Sequence, residues 1–332
     1  MRRIFALLML CAALVLSRQA FCSQPSIYVD IYVPEKACNG TTLLPDNQDP
    51  SNTRVIEIDM QGQIIWEYVL PVELRRYTNP GFDAELLPNN NILIVLPKKG
   101  ICEVNHNGDM VWAHWDAKVS HDADRLANGN TLYVFGDADT KDDAQIKEVD
   151  SKGNIVWSWR AGDHFNTAEY MDIYDDGWTH TNAVTRLENG NTLISPRNFN
   201  CLVEVNPKGE VVDIIGKDFL FGQHDPEVLP NGNILVANHG NRHEALEIDR
   251  ASGEIVWRFE MSNRRSWPIR DANRLSNGNT LITGSTVILE VTPQKEVVWR
   301  ARIDESIING PREAAAKGFF KAQRITRPTT GT

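Results

Sequence analysis

The sequence predicts an all-β protein, a six-bladed β-propeller with four-stranded blades, preceded by a signal peptide. Two short motifs that recur along the chain predict this fold, together with the lack of a long helical periodicity before the C-terminal tail. Successive copies are about 45 residues apart, which is the length typical of one propeller blade.

The first motif is Glu, an apolar residue and Asp or Asn, followed by a turn, two apolar residues and Trp. Four full copies are EIDMQGQIIW (57–66), EVNHNGDMVW (103–112), EVDSKGNIVW (148–157) and EIDRASGEIVW (247–257). Two degraded copies are EVNPKGEVVD (204–213) and EVTPQKEVVW (290–299). We expect the Trp to pack between blades, because a small sheet can bury both faces only against its neighbours.

The second motif precedes each copy of the first. It reads LANGNTL (126–132), LENGNTL (187–193), LPNGNIL (229–235) and LSNGNTL (275–281), with weaker versions LPNNNIL (87–93) and NGTTLL (39–44). Asn-Gly between two apolar runs predicts a tight hairpin, because a type I′ turn needs positive φ at both central residues. The two turns of each repeat therefore separate four short strands.

The ring is expected to close with a strand from the C-terminal tail. Five blades begin with a recognisable innermost strand, namely FDAELL, HDADRL, HTNAVTRL, HDPEVL and RDANRL, but no good copy precedes Asn39. The matching segment is FKAQRI (320–325). The tail 318–326 is therefore predicted to supply the inner strand of blade one. The alternative is that residues 26–33 (SIYVDIYV) supply it and the tail packs outside.

Residues 1–22 have the form of a secretory signal peptide. Arg2 and Arg3 precede the apolar run 4–16, which is short for a membrane span, and small or polar residues follow it. Cleavage after Cys22 would leave residues 23–332 as a single propeller domain. The expected location is therefore the periplasm or the outside of the cell, with no stable membrane insertion after cleavage.

Composition excludes several classes of function. The chain has 34 Lys+Arg and 44 Asp+Glu, a net charge of −10, so no nucleic-acid partner is expected. The sequence contains no Walker loop, HExxH, GxSxG or Rossmann fingerprint, so no cofactor is expected. Three cysteines remain after the signal peptide without a CxxC, and we expect buried thiols with at most one disulfide: Cys38, Cys102 and Cys201.

Residues at the starts of the inner strands are expected to meet on the propeller axis, although they lie far apart in sequence. His121, His180 and His224 occupy this position in blades three, four and five. Blade six has Arg270 and blade two has Phe82. A neutral imidazole is a competent nucleophile, and an arginine binds oxyanions. The set therefore predicts a functional site for an anionic group.

Other polar residues flank this position. Asn182 lies two residues after His180, on the same side of the strand, and Arg197 lies on the next strand, in SPRNFN. ANHGNR (237–242) adds Asn238, with His239 and Arg242 as secondary candidates. The aspartates that follow the axial position are expected to hydrogen-bond to the next blade: Asp83, Asp122, Asp225 and Asp271.

The longest connection between blades runs from Ala161 to Trp178 and is acidic and aromatic. Long loops in compact domains are often functional. The loop is expected either to cover the channel mouth and contact an aromatic ligand, or to be an ordinary solvated loop.

The segments WTHTN (178–182), SPRN (195–198) and QHDPEVLPNGNILVANHGNR (223–242), together with the first motif, resemble the bacterial arylsulfate sulfotransferase family. The resemblance covers residues 50–325. It implies an exported six-bladed propeller that moves a sulfuryl group from a phenolic sulfate ester to another phenol. No nucleotide sulfate donor takes part, and the partners are a small aryl sulfate and a phenolic acceptor.

Residue by residue, the resemblance implies that His224 is the nucleophile, sulfated in a ping-pong reaction. His180 and Asn182 match the HxN motif, Arg197 matches the arginine of the next strand, and His121 matches an earlier channel histidine. Asn238 and Arg270 complete the candidate site as substrate-binding residues, and no metal is expected in it. Arg270 stands where the family places hydroxyl residues in the last inner strand.

Two other functions stay open from the residues alone. The first is a non-catalytic binding scaffold of the cell envelope, since the Trp motif also resembles that of quinoprotein-like propellers. The second is a metal-dependent hydrolase or lyase in which the axial histidines hold a divalent ion. Arg197 and Arg270 beside the site favour an anion over a cation.

Overall fold

The computed structural model describes residues 27–173, 175–240, 242–261, 268–304, 313 and 316–326. The predicted signal peptide, residues 1–22, lies outside the described residues. Within the part described, no helix has the length and apolar character needed to cross a bilayer.

Six sheets form a propeller, and each sheet is one blade. Blades two to six are consecutive along the chain, and the inner strand is the first strand of each. Blade one contains β2 (Thr41–Asp46), β3 (Arg54–Ile58) and β4 (Ile64–Val69). Blade two contains β5 (Asp83–Leu86), β6 (Ile92–Leu96), β7 (Gly100–Val104) and β8 (Met110–His114). Blade three contains β9 (Ser120–Arg125), β10 (Thr131–Val134), β11 (Ile146–Val149) and β12 (Ile155–Trp159).

The second half of the ring repeats this order. Blade four contains β13 (Thr181–Arg186), β14 (Thr192–Pro196), β15 (Leu202–Val205) and β16 (Val211–Ile215). Blade five contains β17 (His224–Val228), β18 (Ile234–Asn238), β19 (Glu244–Ile248) and β20 (Ile255–Glu260). Blade six contains β21 (Ile269–Arg274), β22 (Thr280–Gly284), β23 (Val287–Val291) and β24 (Val297–Ile303). The short helical turns are Ala161–Asp163, α1 (Ala168–Met171) and Arg197–Phe199.

The two sequence motifs meet inside each blade. The last Asn of the NGN turn donates to the Glu of the first motif, as Asn130 does to Glu148 at 2.7 Å and Asn233 to Glu247 at 2.7 Å. A buried carboxylate needs such partners, because an unsatisfied one is costly. The repeated Asn and Glu are therefore structural.

The repeated Trp side chains join neighbouring blades, as predicted. Each indole nitrogen donates to a backbone carbonyl in the turn of the next blade, and the pairs are Trp66–His106, Trp112–Ser151, Trp157–Pro207, Trp257–Pro293 and Trp299–Met60. An arginine of the next inner strand covers the same ring, as Arg125 does at 4.5 Å from Trp112. The Trp motif therefore sets the spacing between blades.

Both chain ends contribute strands to the ring. Strand β25 (Gln323–Ile325) pairs with β2, with Thr41 opposite Ile325, so the tail supplies the inner strand of blade one as predicted. The alternative for residues 26–33 is wrong. Strand β1 (Ile27–Tyr32) pairs instead with β24 and makes a fifth, outermost strand on blade six.

Apolar residues fill the spaces between blades. Each of the six blade interfaces holds one cluster of buried side chains among the described residues. Cys38, Cys102 and Cys201 are buried free thiols, consistent with the prediction. Phe82 belongs to the cluster between blades one and two rather than to the axis.

Candidate functional site

The inner strands of blades three to six begin with an irregular turn that places side chains on the axis. The pairing of each of these strands with its neighbour shifts register near its start. His121, His180 and Asp225 have positive φ angles of 52°, 46° and 46°. Such a backbone is costly for residues with a side chain, and it is retained mostly at functional sites. His121 and His180 adopt this backbone themselves, and in blade five the residue after His224 adopts it. The strand register aligns His121 and His224 with Asn182, so His180 lies two residues before the position that was expected for it.

His121 and His180 are in direct contact. Their ring centroids are 4.9 Å apart in an edge-on arrangement. Gly81 approaches the backbone of His121 so closely that a Cβ on Gly81 would lie 2.3 Å from the Cα of His121. Glycine at this position therefore lets blade two pack against the turn that carries His121.

Hydrogen bonds from its ring and from its backbone hold His180 in place. Its Nδ1 donates to the carbonyl of Asp176 at 2.8 Å, so its Nε2 is the nitrogen left for a ligand. Its backbone N–H donates to the buried carboxylate of Asp139, which also binds Thr179. A histidine held in this way keeps one tautomer and one orientation.

Arg197 begins the short helical turn that follows β14. Its guanidinium contacts the side chains of Asn198 at 2.9 Å and Asp175 at 3.5 Å. About a quarter of the side chain is exposed, and Asp175 is mostly exposed, so this ion pair is weak. The Arg197 guanidinium is therefore available to an anion.

The long linker 161–178 leaves most of its polar residues exposed but buries three aromatic side chains, and its contact with an aromatic ligand stays a prediction. Phe165, Tyr170 and Trp178 are buried in the core between blades three and four, where they pack against Phe199. These aromatic side chains fix the end of the linker. Since that end supplies the contacts to His180 and Arg197 described above, the linker positions both residues.

His224 lies at the start of β17 and is almost fully buried. Its Nδ1 donates to the carbonyl of Gly222 at 3.0 Å. The part of the chain that the structure describes forms no hydrogen bond to its Nε2. Asn182 donates to the carbonyl of Gln223 at 2.8 Å and so holds the segment that carries His224.

His239 stacks on His224, with ring centroids 4.3 Å apart and planes 18° apart. The sequence suggested His239 only as a secondary candidate, because it follows the second strand of its blade rather than beginning an inner strand. Asn238, beside it, accepts from the N–H of Phe221 and donates to Glu244. The carboxamide of Asn238 is thus occupied by the protein, and its role in substrate binding stays a prediction.

Arg270 and Phe320 complete the ring of axial side chains. The guanidinium carbon of Arg270 lies 4.9 Å from the centre of the Phe320 ring, and the centroid of His121 lies 5.9 Å from that of Phe320. Phe320 is the blade-one equivalent of His121. The FKAQRI copy contains this signal, since its Phe aligns with His121, but the sequence analysis assigns the segment only to ring closure.

Burial and the two axial arginines shift the pKa values of the histidines in the site. Burial lowers the pKa of His121, His224 and His239 well below the usual value, and Arg197 and Arg270 add to the effect. Burial and Arg197 also lower the pKa of His180. Burial and Arg197 lower the pKa of Arg270 to about 10. The histidines are therefore neutral near pH 7, and the two arginines provide positive charge for an anion.

In blades two, three, five and six, the residue that follows the axial position is an aspartate: Asp83, Asp122, Asp225 and Asp271. The ammonium of Lys321, from the closing tail, lies 2.5 Å from Asp122, 3.1 Å from Asp225 and 3.4 Å from Asp83. Burial lowers the pKa of Lys321, but these carboxylates outweigh it and raise the pKa well above its ordinary value. The sequence did not indicate this role for Lys321.

The aspartates were expected to hydrogen-bond to the next blade. Asp122 accepts from the N–H of Val184 and Asp271 from that of Ala322, so the expectation is confirmed for these two. Asp83 accepts from Ala84 of its own strand. These carboxylates line a cavity of about 1010 Å³ along the inner strands, and none of the axial histidines is among its lining residues.

Glu85, in the wall of this cavity, provides a test of the buried charge. Burial, with a contribution from Asp83, raises the pKa of Glu85 from 4.5 to about 8. The folded state then binds a proton that the unfolded state releases, so stability falls as pH rises between these values. We expect Glu85→Gln to reduce the loss of unfolding free energy between pH 5 and pH 8 by about 3 kcal/mol.

The measurement is urea unfolding of both proteins at the two pH values. Glu188→Gln, at an exposed position of the same channel wall, is the matched control. Equal pH dependence in the wild type and Glu85→Gln would contradict the raised pKa.

Within the described residues, no group of three or more His, Cys, Asp or Glu side chains is arranged to hold a metal ion. The axial histidines instead share their surroundings with Arg197 and Arg270. Two guanidinium groups beside neutral histidines are suited to an anionic group and to charge that develops on its oxygens.

A closed propeller with a histidine- and arginine-lined axial centre is thus the class of protein that the fold and the site define. The family comparison is consistent with this class. The model of the arylsulfotransferase (ASST) family matches residues 27–223, more than half of the chain, and the chain belongs to that family. Membership suggests arylsulfotransferase activity. No curated protein sequence matches the chain significantly.

Solved structures support the fold. A protein of unknown function from Bacteroides caccae is 17% identical with a TM-score of 0.60, covering 86% of this chain and 98% of that chain. An inactive virginiamycin B lyase from Staphylococcus aureus with quinupristin is 11% identical with a TM-score of 0.50, covering 82% and 86%. The WD40 propeller domain of Doa1 is 12% identical with a TM-score of 0.51, covering 83% and 78%.

Proposed function

We propose that this protein transfers a sulfuryl group from a phenolic sulfate ester to a phenolic acceptor, through a sulfated His224 and without a nucleotide sulfate donor. One observation carries the proposal. His224 is buried, its Nδ1 proton is held by the carbonyl of Gly222, and its ring stacks on His239 within the field of two arginines.

In the first half-reaction, Nε2 of His224 attacks the sulfur of the ester, and the bond between sulfur and the phenolic oxygen breaks. The phenolate leaves with the electron pair. His224 keeps its Nδ1 proton, so the imidazole becomes positively charged while it carries the negative sulfonate. The Gly222 carbonyl, 3.0 Å from Nδ1, stabilises that positive charge.

The surrounding side chains act on the oxygens of the sulfuryl group. Transfer of this kind depends mainly on positioning and on stabilisation of charge on the non-bridging oxygens. Arg197 and Arg270 are the donors that the structure offers for this purpose. His180 keeps its single proton on Nδ1 for the Asp176 carbonyl, so its Nε2 is an acceptor. Asn182 acts indirectly, because it holds the backbone beside His224.

In the second half-reaction, the oxygen of the acceptor phenol attacks the same sulfur. The bond between sulfur and Nε2 breaks, the electron pair returns to Nε2, and His224 is neutral again. The proton of the acceptor passes to a base or to solvent, and the product is a new aryl sulfate. The enzyme alternates between a free and a sulfated form, which is a ping-pong mechanism.

The test is rapid mixing of the protein with p-nitrophenyl sulfate in the absence of an acceptor. We expect a burst of nitrophenolate of one equivalent per protein, and one added sulfuryl group in the intact mass. Added phenol should convert the burst to continuous turnover. No burst and no sulfated protein would contradict the proposal, and turnover that a chelator abolishes and a divalent metal restores would favour the metal-dependent alternative.

A further inference from the structure

His239 is a buried base that the mechanism above does not use. Its ring lies nearly parallel to that of His224, at 4.3 Å between centroids. It hydrogen-bonds to the backbone of Ile269, at the start of the inner strand of blade six. Its Nε2 is enclosed and has no hydrogen-bond partner among the described residues. A buried polar atom without a partner is uncommon and calls for a reason, such as a ligand that completes the site.

We propose that His239 is the general base that takes the proton of the acceptor phenol, an inference that rests on the proposed function. A phenol is a weak nucleophile until its proton is removed, and its ordinary pKa near 10 leaves it protonated at neutral pH. A base must therefore stand next to the attacking oxygen. His239 is the histidine stacked on the nucleophile itself.

The proposed step balances without a further reactant. As the phenolic oxygen forms its bond to sulfur, its proton moves to Nε2 of His239, and the electron pair of the breaking sulfur–nitrogen bond returns to His224. His239 leaves the step as an imidazolium. When the donor releases a phenol of ordinary acidity, the same proton is given to the departing phenolate, as microscopic reversibility requires.

The surroundings keep His239 in the unprotonated form that a general base needs before the reaction. Burial first, and then Arg197 and Arg270, lower the pKa of His239 well below its ordinary value, so the electron pair of Nε2 is free. The ring of His180 is bound to Asp176 and that of His121 packs against Phe320, so these two histidines belong to the other side of the axis. Neither of them stacks on His224, whereas His239 does.

The two half-reactions separate this role from a structural one. The p-nitrophenolate leaving group needs no proton, so His239→Gln should still give the burst with p-nitrophenyl sulfate. Steady turnover with phenol as acceptor should fall by about 10²–10⁴-fold. A more acidic phenol loses its proton more easily, so the defect should shrink as the acidity of the acceptor rises.

His239→Phe is the second variant, because phenylalanine keeps an aromatic ring against His224 but has no basic nitrogen. It should behave as His239→Gln does, whereas normal turnover in His239→Phe would show that stacking alone matters and would overturn the inference. An equal loss of burst and turnover in both variants, in folded protein, would also overturn it. Absence of the burst in the wild type would overturn the proposed function itself, and the two failures are therefore distinguishable.

Discussion

Replacing His224 with alanine is expected to lower sulfuryl transfer from p-nitrophenyl sulfate by about 10⁴-fold or more, because the variant has no atom to accept the sulfuryl group. The burst and the sulfated protein should both disappear. His224 contacts Gly222 and His239 but belongs to none of the six apolar clusters between the blades. The fold should therefore survive the change. Transfer is followed as nitrophenolate release, and folding as thermal unfolding.

His164→Ala is the matched control for this variant. His164 stacks on Trp159 in the linker between blades three and four, away from the axial side chains. It should transfer sulfuryl groups at the rate of the wild type. A His224→Ala protein that still forms a sulfated intermediate would show that another histidine is the nucleophile, and mapping the modified peptide would identify it.

Much of the fold could be predicted because its determinants are local and repeated. An Asn-Gly turn specifies a hairpin wherever it occurs, and the Trp, Asn and Glu of each repeat make the same contacts in successive blades. The place of β1 was not predictable in this way. An alternating apolar strand fits an inner or an outer edge equally well, and only the three-dimensional ring shows that blade six has its outer edge free for Ile27–Tyr32.

His121 and His224 were predictable for the same reason, since they stand at equivalent positions of a repeat. The prediction that His180 shares this position is wrong, because the strand register places Asn182 there and His180 two residues before it. His239 and Lys321 were harder to place. His239 belongs to the second strand of its blade, and its stacking on His224 depends on a turn whose backbone path the sequence does not specify. Lys321 acquires its role from contacts with three blades that lie far away in sequence.

Deletion of residues 318–332 is expected to remove most of the stability of the propeller. The deleted segment contains β25, which pairs with β2, and Phe319 and Ile325, which are buried in two different blade interfaces. Loss of a buried Phe alone costs about 3–5 kcal/mol, and a domain has about 5–15 kcal/mol in total. The truncated protein should therefore lack a cooperative thermal transition, whereas an unchanged melting temperature would show that the ring closes in another way.

Lys321→Met separates the charge of the tail from its strand. The variant keeps β25 but leaves the carboxylates of Asp83, Asp122 and Asp225 buried without their shared cation. Removing one partner of a buried ion pair costs about 3–5 kcal/mol, and the loss should be smaller at low pH, where the carboxylates bind protons. Lys317→Met is the control, because Lys317 pairs with Glu313 at a partly exposed position, where an ion pair contributes about 0–1 kcal/mol. Equal stability of the two variants would mean that the closing strand holds the ring by its backbone and apolar contacts. The axial aspartates of four blades would then tolerate the repulsion between their carboxylates without Lys321.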